Sequence, residues 1–173
     1  MNPLPHIPLS GFVLAGGVLA LLTACVREDE AAMRARLEQW FALGETAYFQ
    51  ARGDCVAGVF RLAGPDVGAA MPVTGSVPEM LWALPRQGRA ALQADGMAPD
   101  AALVELANEA RPTGMAMRRA GLEARSCMDD GAEGAFRRAL LSPDALLAYD
   151  SESGTVMVMD TRRDLLFAAM GEG

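Results

Sequence analysis

The chain has 173 residues, fifteen basic and twenty-two acidic, for a net charge of −7 with its one histidine neutral. An acidic body is not drawn to phosphate backbones, so nucleic acid is not an expected partner. All fifteen basic residues are arginine, and a chain without lysine has no Walker-type phosphate loop, no Schiff base and no Ser-Lys dyad.

Gly11 to Ala24 is an unbroken run of apolar and small residues in which Thr23 is the only hydroxyl. As a helix it would rise roughly 21 Å, short of the ~30 Å hydrocarbon core of a bilayer. Such a length suits the h-region of a secretory signal better than a permanent span. The run ends in Leu22-Thr23-Ala24-Cys25, which resembles the lipobox of bacterial lipoproteins: an apolar residue, two small ones and a cysteine, read by the lipoprotein signal peptidase. Met1 to Ser10 carries no Lys or Arg, a departure from the usual basic start of such a signal. The resemblance covers residues 1–25. It implies a signal peptide over 1–24, cleavage before Cys25, and acylation of Cys25 on its sulfur and on the new amine. Membrane lipid is then a partner through Cys25, since two or three acyl chains anchor stably where one does not. In well-studied lipoproteins an Asp after the cysteine often signals inner-membrane retention. Val26 stands there instead, which tilts the expected location towards the outer membrane, facing the periplasm.

Removing 1–24 discards His6 and leaves 149 residues, enough for one domain with its own core. Ser-His-Asp and Cys-His catalysis, His-ligated zinc and His-ligated haem are then excluded, and no cofactor is expected. Cys55 and Cys127 remain. An even pair in an oxidising envelope compartment reads as a disulfide; a redox-active pair usually sits closer, as in C-x-x-C. The expected organisation is an acylated cysteine with a short tether over 25–30, then a single α+β periplasmic domain over 31–173.

Glu28, Asp29 and Glu30 suit a helix N-terminus. Met33, Leu37, Trp40, Phe41, Gly44 and Tyr48 recur at helical spacing and predict one long helix as the spine of the core. Cys55 to Leu62 predicts a short buried strand that Gly58 weakens. Ala63 to Gly75, with five Gly and Pro residues, is expected to be irregular. Ser76 is a candidate N-cap with Pro78 in the first turn; Pro85 ends or kinks that helix, and Arg86 to Ala94 is a second helical piece.

Pro99 opens another helix that stops near Pro112, and Thr113 is a candidate cap for the next. There Met117, Ala120, Gly121, Ala124, Cys127 and Met128 fall on one face, which turns Cys127 inward towards Cys55. A short helix over Ala132 to Leu141 follows. Leu146–Asp150, Thr155–Met159 and Leu165–Ala169, separated by polar turns, predict a three-stranded antiparallel meander. With the Cys55 strand it gives a small sheet backed by helices.

Met115, Met117, Met157 and Met159 suit Cu(I) by their thioethers, but methionine is commonly core filler. Asp129, Asp130 and Glu133, and likewise Asp150, Glu152 and Asp160, read as solvated turns without the ligand series of a calcium loop. No metal site is expected. Two-carboxylate hydrolysis needs neither His nor Lys, so Glu45 and Glu79 are candidate acids, with Trp82 an aromatic shield. Arg118-Arg119, Arg137-Arg138 and Arg162-Arg163 are doublets on acidic ground. Clustered, they would hold an anionic group or an acidic partner surface. The leading expectation is a non-enzymatic accessory or structural subunit that touches an envelope protein partner. A glycan hydrolase and a small-ligand-binding lipoprotein are the alternatives.

Overall fold

Residues 28–171 are described by the computed structural model; the lipobox and Cys25 lie outside the described residues. Five helices and seven strands build one α+β domain. In chain order they are α1 (Glu30–Leu37), β1 (Phe41–Arg52), β2 (Cys55–Val67), β3 (Val73–Thr74), α2 (Val77–Gln87), β4 (Arg89–Leu92) and α3 (Pro99–Glu109). Then come α4 (Arg111–Ala124), a 3-10 turn (Arg125–Cys127), α5 (Asp130–Leu140), β5 (Leu146–Asp150), β6 (Thr155–Asp160) and β7 (Leu165–Met170). The strands form one sheet in the order β1-β2-β7-β6-β5-β4-β3. All neighbours are antiparallel except β3 and β4, which run parallel.

The predicted meander is the centre of this sheet, β5 to β7, and β2 joins it alongside β7. These strands are apolar without alternation because both of their faces are covered. Ala57, Val59, Leu147, Tyr149, Val156, Val158, Phe167 and Ala169 point to a first core roofed by α2 to α5. Val56, Phe60, Leu146, Ala148, Met157, Met159 and Leu166 point to a second core, covered by Met33, Leu37, Trp40 and Met71. Gly58 serves that second core. A Cβ there would come within 2.6 Å of the Phe60 ring and 3.0 Å of the Met33 sulfur, so the missing side chain lets α1 lie on the sheet.

The long helix expected through Tyr48 stops at Leu37. Asp29 caps its start, accepting from the Ala32 amide at 2.7 Å. From Phe41 the chain is a twelve-residue strand paired with β2 through three register shifts. Trp40, Phe41, Gly44 and Tyr48 match helical spacing in the sequence, but pairing with β2 satisfies the backbone of this stretch and overrides the pattern. The helix after Ser76 runs through Pro85 to Gln87 and ends at Gly88, whose φ of 72° is left-handed. Gly88 returns its amide to the Leu84 carbonyl at 2.9 Å. Arg86 to Ala94 therefore contains no second helical piece but β4, seated between β3 and β5. Likewise Ala63 to Gly75 is only partly irregular, since β2 continues to Val67 and β3 pairs with β4. The cap expected at Thr113 sits inside α4, which starts two residues earlier.

Cys55 and Cys127 form a disulfide with 5.9 Å between their Cα atoms. It ties the start of β2 to the turn after α4, the inward orientation read from the spacing of Met117, Ala120 and Ala124. No helix among the described residues is long and apolar enough to cross a membrane.

Candidate functional site

Two helical stripes face each other across the first core. On α4 and the turn after it, Arg118, Gly121, Leu122 and Arg125 lie at i, i+3, i+4 and i+7, which places them on one side of a helix. On α5 and its C-cap, Glu133, Arg137, Leu140 and Leu141 lie at i, i+4, i+7 and i+8, again one side of a helix. Met117, Ala120 and Phe136, one stripe over, anchor both helices to the sheet. Between the stripes runs a groove of about 420 Å³, with Asp100 and Leu103 of α3 along its wall.

The groove has a closed floor and an apolar rim. Met117, Val156 and Phe136 beneath it are 0%, 1% and 2% exposed, whereas Leu122 and Leu141 on its rims are 59% and 58% exposed. Three guanidiniums, Arg118, Arg125 and Arg137, stand against two carboxylates, Asp100 and Glu133. Arg125 donates from Nε to Glu133 at 2.8 Å and forms an ion pair with it. Arg118 and Arg137 have no ion-pair partner among the described residues. The groove is thus locally positive on a chain that carries −7 overall.

Of the arginine doublets, Arg118 and Arg137 reach the groove, while Arg162 and Arg163 are engaged elsewhere by Asp144 and Asp160 at 2.5 and 2.6 Å. Glu45 is exposed on β1 near Arg61, and Glu79 accepts from the Gly75 amide at 2.9 Å in the first turn of α2. β1 and β3, the strand beside α2, are opposite edges of the sheet. Six strand spacings of ~4.8 Å separate those edges by about 29 Å, beyond the ~10 Å that a carboxylate pair spans in glycoside hydrolysis. Glu79 does share a shallow pocket with Trp82, Pro72 and Pro78, but no second acid lines it.

The methionine pairs divide between layers. Met117 lies in the first core, Met157 and Met159 in the second, and Met115 is exposed. Asp129 caps α5 through the Ala132 amide at 2.7 Å, and Asp130 and Glu133 follow in its first turn. Among the described residues no three His, Cys, Asp or Glu side chains are grouped to hold a metal ion. Asp150 and Asp160 are buried at strand ends, where Asp150 accepts from the Ser153 amide at 3.3 Å and Asp160 pairs with Arg163. Glu152 is exposed in the turn between them. The Tyr149 hydroxyl is pushed above its ordinary pKa, first by burial and then by the Asp150 carboxylate.

Sequence reading singled out the arginine doublets but not Arg125, Leu122 or Leu141. The signal was the shared i, i+4, i+7 spacing on two neighbouring helices. No protein-family model, no curated protein and no solved structure matches this chain.

Proposed function

We propose that this chain is a lipid-anchored envelope protein that works by contact, through the groove between α4 and α5, as an accessory or structural subunit. The observation that carries the reading is the distribution of apolar surface around the groove. A small molecule seated on the closed floor would gain little burial, because Met117, Val156 and Phe136 are already out of water. The surface left to cover lies on the rims, at Leu122 and Leu141, and only an occupant broad enough to touch both covers it. A volume of about 420 Å³ falls within the range of small-ligand sites and favours a ligand-binding role as the second reading. The exposed rims weigh against it.

The anchor half of the proposal rests on the resemblance of Leu22-Thr23-Ala24-Cys25 to a lipobox. Four residues from Cys25 to the capping Asp29 reach at most about 14 Å, so α1 would lie close to the bilayer. The groove is on the other side of the sheet from α1, leaving it open to a partner. The test is recovery of partners in mild detergent by the full chain and by a Leu122→Asp/Leu141→Asp variant. A protein retained by the first and lost by the second is expected. Equal recovery by both, or nothing above background with either, rejects the contact reading.

A further inference from the structure

We infer that the occupant of the α4–α5 groove is an acidic amphipathic helix of a partner protein, an inference that rests on the contact reading above. The chemistry of the groove narrows the choice. No strand edge opens into it, because β6 below is paired on both sides with β5 and β7; an extended peptide therefore has no ladder to join. Proline-rich segments dock on aromatic-lined grooves, and the one aromatic ring here, Phe136, is 2% exposed. What the groove offers is a trough between Met117–Arg125 of α4 and the turn after it and Glu133–Leu141 at α5. At 1.5 Å per residue each lined stretch is about 12 Å long, matching about two turns of a third helix.

Such a helix would place apolar side chains at i, i+3, i+4 and i+7 against Leu122, Leu140 and Leu141. Its flanks would face Arg118 and Arg137, the two groove guanidiniums without an ion-pair partner among the described residues. Carboxylates there would pair with them, and lysines would be repelled. Charge on the rims thus selects the partner, while the leucines supply the contact area.

The experiment uses the full-length chain in its native membrane. Leu122 and Leu141 are replaced one at a time by a photo-reactive phenylalanine analogue, with exposed Val73 of the edge strand β3 as the control position, and adducts are mapped at the peptide level. Labelling from both groove positions, but not from Val73, is expected on one Glu- or Asp-rich helical segment of a single protein. The pair Arg118→Glu/Arg137→Glu, two exposed sites, is expected to lower that yield about tenfold or more, with thermal midpoint and disulfide unchanged. Labelling of a basic or extended segment, or a yield indifferent to the charge reversal, overturns the acidic helix and leaves the contact reading standing. Adducts only to lipid or fatty acid overturn it in favour of an anionic amphiphile. No adduct from either groove position, or equal labelling from Val73, removes both inferences.

Discussion

The hydroxyl of Tyr48 donates to the backbone carbonyl of Cys127 at 2.6 Å, joining two residues that lie 79 positions apart. Tyr48 belongs to the edge strand β1, and Cys127 closes the turn between α4 and α5. The same turn is bonded to the start of β2 through Cys55. One covalent link and one hydrogen bond therefore fix the end of the groove at Arg125, and the first prediction concerns that fixture. Closing a loop of 72 residues stabilises by about 4 kcal/mol in the chain-entropy model. Cys55→Ala/Cys127→Ala is expected to lower the thermal midpoint by about 10 °C, and Tyr48→Phe to cost about 1 kcal/mol. Calorimetry with and without reductant checks both; an unchanged midpoint under reductant would contradict the first.

Two glycines of α4 predict opposite outcomes for the same substitution. A Cβ on Gly114 would lie 2.3 Å from the Ala107 amide nitrogen, where α4 crosses α3 backbone to backbone. Gly114→Ala is expected to cost about 3 kcal/mol, since backbone must move. On Gly121, facing the groove, the nearest atom is Phe136 Cζ at 3.9 Å, an ordinary contact. Gly121→Ala is expected to be neutral or to stabilise by up to about 1 kcal/mol through helix propensity. Urea unfolding of the two variants side by side decides the matter.

Tyr149 gives a pH prediction. Burial and the Asp150 carboxylate both favour its neutral form in the folded chain. Between the unfolded and folded pKa values the native state holds the extra proton, so stability falls as pH rises. This contribution is complete below the ordinary tyrosine pKa of about 10 and is lost as pH climbs through the raised value. Ultraviolet titration is expected to show Tyr149 ionising later than a free tyrosine, with the late step absent in Tyr149→Phe. A late step that survives that substitution would contradict the assignment to Tyr149.

The parts of the fold legible in the sequence are those where local chemistry and tertiary packing agree. The polar turns at 151–154 and 161–164 separate β5, β6 and β7, and Ser76 and the Asp129 turn start their helices. The disulfide followed from an even pair of cysteines and an inward face. Agreement breaks down at Trp40 to Arg52, where long-range pairing with β2 converts a helical spacing into strand. It breaks again at Arg89–Leu92, whose alanines favour a helix until insertion between β3 and β5 makes them a strand. The groove was illegible for a related reason. Arg118 and Arg137 stand nineteen positions apart on different helices, and only the fold sets their stripes face to face.

The proposed attachment of fatty chains at position 25 underlies the proposed placement of the domain, and intact-mass analysis of the membrane-extracted protein tests it most directly. A chain beginning at Cys25, carrying two or three acyl groups and with Cys55 bonded to Cys127, is the predicted result. A chain that still begins at Met1 with a bare Cys25 thiol would contradict it.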